Sequence, residues 1–241
     1  MESALVLGVR IDCVDMARAV SEVERLLDEP GPCRLVATVN PESIMRARRD
    51  RGFARALDGA ALRVADGWGA AWAARRRGCA VEQAVPGVEL AGEVAAICAR
   101  RRLRLYLLGG AAGVAAAAAA SLQSTHPGLE IAGCEPGSPE PADDKRVVDA
   151  IVAARPDAIL VAYGQPAQEL WIQRNAGRIP ARVAVGVGGT FDYLAGVVPR
   201  APAWMRSRGL EWLFRLLRQP WRARRMAVLP VYALLVLLSR E

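Results

Sequence analysis

The chain has 241 residues, 53% of them apolar, and carries 32 Lys and Arg against 25 Asp and Glu, for a net charge of +7. That length fits one α/β domain, alone or with an appendage, and the apolar share supports a large core and excludes a disordered chain. The basic residues are nearly all arginine, which suits phosphate and anionic-lipid contacts and leaves nucleic acid as the competing partner.

The first residues carry neither a basic stretch nor a long apolar one, so no signal peptide is read there. The first clear helical pattern covers residues 16–27. Apolar runs at 34–39 and 62–65 then read as strands, and the pattern of helix and short apolar run continues. Helices are expected at 87–101, 111–124, 142–154 and 167–176, and strands at 103–108, 129–132, 158–162 and 182–187. Strands of four to six residues alternating with helices predict a Rossmann-like α/β fold, with a mostly parallel sheet covered by helices on both faces. Ligands in such sheets bind beyond the carboxyl ends of the strands. Five cysteines, Cys13, Cys33, Cys79, Cys98 and Cys134, form no CxxC pair and predict reduced, mostly buried thiols in a cytoplasmic protein.

Composition shifts near residue 197, which divides a catalytic domain, 1–196, from a basic amphipathic appendage, 197–241. Between Arg200 and Arg225 stand eight arginines against one acid, Glu211, and thirteen apolar residues follow at 226–238, interrupted by Pro230. A spanning helix needs about 20 apolar residues, so a helix lying in the membrane interface is expected instead. Leu210, Phe214, Leu217 and Trp221 recur at helical spacing beside Arg215, Arg218, Arg222 and Arg225. Aromatic residues interleaved with arginine also fit single-stranded nucleic acid, but the apolar run that follows favours membrane.

The candidate chemistry lies in the strand-to-helix turns. Asp66, in Arg63-Val-Ala-Asp66-Gly-Trp-Gly, follows a strand on a glycine turn, where a carboxylate can take a proton from an attacking hydroxyl. Partial burial there would raise its pKa for that work, and the same position also suits a cap for the helix near Gly67. Thr38 and Asn40 offer a hydroxyl and an amide after the preceding strand, although Asn40-Pro41 is also an ordinary helix start. Gly109 and Gly110 form a loose relative of the dinucleotide turn and could bring N–H groups to a phosphate; a plain tight turn reads equally well. Tyr163-Gly164-Gln165-Pro-Ala-Gln168-Glu169 places three polar side chains where a base or ribose could be held. Gly188 and Asp192 close the last strand, and Asp192 also fits a helix cap. No two Asp stand two apart and the only histidine, His126, precedes a proline, so neither a DxD metal pair nor a histidine-based centre is expected. Cations or helix amino termini must then stabilise a diphosphate leaving group.

These motifs together resemble the WecG/TagA/CpsF family, glycosyltransferase family 26, over essentially the whole chain. The most specific stretch is Arg200-Ala-Pro-Ala-Trp204, running through Gly209-Leu-Glu211-Trp212 to Arg215, Pro220, Arg222 and Arg225. The resemblance implies an inverting glycosyltransferase that needs no metal or other cofactor and moves a sugar from a UDP-sugar to a polyprenyl-diphosphate-linked acceptor. It implies a peripheral protein on the cytoplasmic face of an anionic membrane, at work in cell-surface polysaccharide or teichoic acid synthesis. Asp66 maps to the family's base and Thr38 and Asn40 to its acceptor pocket. Gly109, Gly110, Tyr163, Gly164, Gln165, Gln168, Glu169, Gly188 and Asp192 fall to the nucleotide-sugar, and Arg215, Arg222 and Arg225 to the diphosphate. Self-association is compatible with this reading and nucleic acid is not expected as a partner. A membrane-surface nucleotide-sugar-binding protein without catalysis is the alternative, with a nucleic-acid binder behind it. One departure stands out: the stretch Glu82-Gln83-Ala84-Val85-Pro86-Gly87 lacks the arginine usual before that glycine, leaving Arg75, Arg76 or Arg77 as substitutes.

Overall fold

The computed structural model describes residues 1–202, 204–205, 211–218 and 226–239. The chain opens with a hairpin absent from the sequence reading, strands β1 (Ser3–Val6) and β2 (Val9–Asp12), paired antiparallel. Its two-residue turn, Leu7-Gly8, has φ of 50° and 84°, the positive pair that lets two strands reverse without splaying. The apolar run from Ala4 to Val9 masks the alternation that would have betrayed two strands.

The main sheet has six strands in the order β4-β3-β8-β7-β5-β6, all neighbours parallel. They are β3 (Arg34–Val39), β4 (Leu62–Ala65), β5 (Arg104–Gly109), β6 (Glu130–Glu135), β7 (Ala158–Ala162) and β8 (Val183–Gly186). β3, β4 and β7 keep the bounds expected from sequence. The central strands are apolar at nearly every position because both faces are covered.

Helices α1 (Met16–Asp28), α5 (Gly87–Arg101), α6 (Val114–Thr125) and α9 (Thr190–Leu194) cover one face, over a core with Val36, Leu107, Leu160 and Phe191. The other face carries the hairpin with α2 (Pro41–Ala47), α3 (Arg51–Asp58), α4 (Trp68–Arg76), α7 (Asp144–Ala154) and α8 (Ala167–Asn175), packed around Phe53, Ile159 and Trp171. β4 is an edge strand, and the hairpin blunts that edge. Asp12 Oδ2 accepts from the backbone N–H of Arg63 at 2.8 Å and meets its guanidinium at 3.2 Å, with both side chains buried.

The cysteine expectation is corrected. Cys13 and Cys79 are joined by a disulfide, Cα–Cα 5.3 Å, because the hairpin brings the end of β2 against the loop that leaves α4. Cys33 and Cys98 are buried free thiols, and Cys134 is exposed on β6.

In the tail, α10 (Glu211–Arg218) and α11 (Val228–Leu238) are described. Pro230 sits in the first turn of α11, where a missing N–H costs nothing. The expectation that this segment is simply an interfacial helix needs amendment. α11 packs against α2 and buries Tyr232 and Val236 in the core of the α/β domain. It runs along α4: the Tyr232 hydroxyl donates to the Gly69 carbonyl at 3.1 Å, and Arg77 at the other end donates to the Ser239 carbonyl at 2.9 Å. Its outer face, Val231, Leu234, Leu237 and Leu238, is exposed. No helix among the described residues is long and apolar enough to cross a membrane.

Candidate active site at the carboxyl edge of the sheet

The register of β3 against β4 pairs Val39 with Ala65, so Asn40 and Asp66 leave adjacent strands side by side. The backbone N–H of Asp66 donates to the Val39 carbonyl at 2.7 Å and fixes this closeness. Asp66 does not cap α4: Gly67, at φ 84°, is the N-cap residue and makes no side-chain bond. Instead Asp66 Oδ1 accepts the N–H of Gly87, the first residue of α5, at 3.3 Å. The amino terminus of this fifteen-residue helix favours negative charge there. Asp66 is half-buried.

Asn40 is the N-cap of α2. Its Oδ1 accepts from the Ser43 N–H at 2.9 Å, with the reciprocal Ser43 hydroxyl contact of a capping box. Its Nδ2 donates to Gln165 Oε1 at 3.2 Å. Gln165 Nε2 donates to the Thr38 carbonyl at 2.7 Å and to Glu169 Oε1 at 3.2 Å. One Asn40 amide hydrogen and a lone pair on Gln165 Oε1 remain for a ligand. Asn40, Asp66 and Gln165 are therefore brought together.

Thr38, Gln168 and Glu169 sit behind that group, not in it. The Thr38 hydroxyl is buried and donates to the Gly186 carbonyl at 2.8 Å, joining β3 to β8. Gln168 Oε1 accepts the N–H of Gly164 at 3.1 Å and of Gly188 at 2.9 Å, tying the turns after β7 and β8. Its Nε2 donates to Glu169 Oε1 at 2.9 Å. Both side chains have zero exposure, so neither offers a ligand any surface. Burial raises the Glu169 carboxyl from 4.5 to about 7, and its Oε2 has no hydrogen-bond partner among the described residues.

β5 and β7 lie side by side yet send α6 and α8 to opposite faces, which opens a crevice between their turns. Gly109 is needed there: its φ is 115°, and a Cβ would come within 2.6 Å of the Ala162 carbonyl carbon. Gly110, at φ 78°, then leads towards α6. Tyr163 turns away from this crevice. It packs edge-on against Trp171, centroids 5.9 Å apart, and burial pushes its phenol above the usual range. Asp192 lies in the first turn of α9, whose N-cap is Gly189, with no side-chain cap bond.

Of the three diphosphate candidates, Arg222 and Arg225 lie outside the described residues, and Arg215 is described only as a position in α10. The substitutes for the missing arginine stand at the wrong end of α4. Arg75 holds the Val81 carbonyl at 3.1 Å, Arg76 lies over Trp72 at 5.9 Å and Arg77 holds α11. At 1.5 Å per residue they are about 13 Å along the helix from Asp66. Arg200, given no role from sequence, pairs with Glu89 in the first turn of α5 at 3.1 Å. Trp68, also missed, is 56% exposed two residues beyond Asp66 and stacks on Trp72 at 6.0 Å. A tryptophan two residues after a candidate base was the only sign available in sequence.

Comparison with known proteins identifies the family. The sequence profile described as "Glycosyl transferase WecG/TagA/CpsF family" matches residues 4–241. The chain is 34% identical over 203 residues, 84% of its length and 78% of the relative's, to a Bacillus subtilis (strain 168) protein named N-acetylglucosaminyldiphosphoundecaprenol N-acetyl-beta-D-mannosaminyltransferase. It is 32% identical to the protein of that name from Bacillus spizizenii, over 95% of this chain and 89% of the relative. The Staphylococcus aureus (strain MRSA252) protein of the same name is 30% identical over 94% and 89%.

Proposed function

The chain belongs to the WecG/TagA/CpsF family of glycosyltransferases, and we propose that it transfers an N-acetylmannosamine-type sugar from a UDP-sugar to a polyprenyl-diphosphate-linked N-acetylglucosamine, with inversion. The names of the relatives supply the acceptor and the sugar type. The observation that carries the mechanism is the Asp66 carboxylate at the sheet's carboxyl edge, held by Gly87 N–H beside the Asn40–Gln165 pair. Asp66 takes the proton of the acceptor hydroxyl as that oxygen attacks the anomeric carbon. The bond from that carbon to the UDP oxygen breaks from the opposite side, which inverts the centre.

Asn40 and Gln165 orient the sugars by their remaining hydrogen-bond capacity, while Thr38, Gln168 and Glu169 brace them. The N–H groups opening α6 after Gly109-Gly110 suit a phosphate. Arg215, Arg222 and Arg225 neutralise the departing UDP, with Arg200 a further cation at the head of α5. Without a DxD pair, and with one histidine, the reaction uses arginine instead of a metal ion. A peripheral position on the cytoplasmic face of the membrane belongs to the same reading, and the exposed outer face of α11 and the arginines of the tail sequence support the membrane contact.

The test is UDP release by the purified protein, with UDP-N-acetylmannosamine and a short-chain lipid-diphosphate acceptor, and the anomeric configuration of the product read by NMR. No release with any UDP-sugar would reject transfer; a retained configuration would reject direct displacement.

A further inference from the structure

α11 is apolar all the way round, yet the domain covers only one side of it. Tyr232 and Val236 are buried, while Val231, Leu234, Leu237 and Leu238 are 48 to 68% exposed on the opposite side. At its carboxyl end, away from Gly69, Leu238 faces a recess of about 330 Å³. Leu7 and Gly8 of the hairpin turn, Leu235, Ser239 and Arg48 complete its walls. Beyond the hairpin tip a second recess of about 230 Å³ shares Gly8 and is lined by Arg10, Arg55 and Asp58.

The turn between α2 and α3, with the helix ends flanking it, carries five arginines, Arg46, Arg48, Arg49, Arg51 and Arg55, against one acid, Asp50. Asp50 takes Arg46 at 3.6 Å, and Asp58 takes Arg10 at 3.0 Å. Arg48, Arg49, Arg51 and Arg55 are all exposed and make no side-chain ion pair among the described residues. An apolar strip next to unneutralised guanidinium groups matches a bilayer surface, where acyl chains and anionic headgroups lie a few ångströms apart. A protein partner could cover the leucines but would need acids facing four arginines as well, whereas a bilayer surface supplies both chemistries at once. Nucleic acid would use the arginines and leave the leucines in water.

We propose that Arg48 and Arg55, on either side of the hairpin tip, bind anionic phospholipid headgroups and, with the outer face of α11, seat the α/β domain directly on the membrane. The proposal deepens the reading of the chain as an enzyme acting on a lipid-linked acceptor: the folded domain, and not the tail alone, recognises the surface. Guanidinium groups suit this because each can hold phosphate oxygens in pairs.

The experiment is vesicle flotation of the full chain on phosphatidylcholine with and without phosphatidylglycerol. The Arg48→Ala/Arg55→Ala variant should lose about five-fold in affinity per arginine on the anionic vesicles, roughly twenty-five-fold together, and little on the neutral ones. Arg18→Ala, an exposed arginine of α1 on the other face of the sheet, should bind like the parent. Leu234→Ser/Leu238→Ser should weaken binding to both kinds of vesicle. All variants alter exposed side chains, so unchanged melting confirms folding, and the arginine pair should leave UDP release from a water-soluble acceptor intact. If the arginine pair binds anionic vesicles like the parent, the proposal is overturned. It is overturned too if both arginines serve a single-stranded oligonucleotide in preference to the vesicles. A parent that releases no UDP, while the arginine pair still loses anionic binding, would sink the enzymatic reading and leave the headgroup site standing.

Discussion

Asp66 accepts the backbone N–H of Gly87 at 3.3 Å, so the carboxylate that ends β4 is also anchored to the first residue of α5. One residue thus serves as candidate base and as helix acceptor, and a single substitution can separate the two. Asp66→Asn keeps an oxygen for Gly87 and removes the base. UDP release should fall about 10²- to 10⁴-fold. Stability should fall by only about 0.3–1 kcal/mol, the loss of a charge at a helix amino terminus. Native turnover by this variant would exclude Asp66 as base.

Glu169 should give stability a pH dependence of its own. Its folded pKa, about 7, lies above the ordinary 4.5 because burial disfavours the charged form. Between those values the folded protein keeps a proton that the unfolded chain has lost. The stability carried by protonated Glu169 is complete below about pH 4.5 and is lost as pH rises through about 7. The loss amounts to about 3 kcal/mol. Glu169→Gln mimics the protonated form, so denaturant midpoints measured from about pH 5 to about pH 8 should flatten relative to the parent.

The buried pair between Asp12 and Arg63 makes the hairpin part of the core. Asp12→Ala leaves Arg63 buried without its counter-charge, and urea unfolding should show a loss of about 3–5 kcal/mol. A loss within a few tenths would mean that the hairpin is only an ornament on β4.

The docking of α11 rests on identifiable contacts. Tyr232→Phe removes the hydroxyl bond to Gly69 and should cost about 0.5–1.5 kcal/mol locally. Arg77→Ala removes the donor to the last carbonyls of the helix. Hydrogen exchange of residues 228–239 should quicken in both variants, while β3 and β8 keep their protection.

Arginine-based stabilisation of the leaving group predicts that excess EDTA leaves turnover unchanged. Abolition by EDTA, with recovery on adding Mg²⁺ or Mn²⁺, would show that the diphosphate is held otherwise.

Most of the layered fold was readable from the chain, because buried parallel strands are short apolar runs and their helices have a different period. The site was readable only in part. Asn40, Asp66 and Gln165 carry their chemistry at strand ends, where the topology gathers them. Gln168 and Glu169 look identical in sequence, since a polar side chain on a turn reads the same whether it meets a ligand or braces the next turn. Burial alone separates them. The hairpin was hidden by a turn of Leu7 and Gly8 inside an apolar run, and the Cys13–Cys79 pairing could not be foreseen before that hairpin was known. Arg75, Arg76 and Arg77 follow Asp66 by nine to eleven residues, and because those residues form a helix the arginines lie at its far end.

The Thr38 hydroxyl and the Gly186 carbonyl it meets are 148 residues apart, because β8, the last strand, inserts into the middle of the sheet. Without that strand, β3 and β7 would have no neighbour between them. Asn40 and Gln165 cannot take their final spacing without it. A chain that ended before β8 would thus present two open strand edges and no assembled site. The same insertion forbids dividing the domain into independently folding halves, since each half would own one of the strands that flank β8 and only one would own β8 itself.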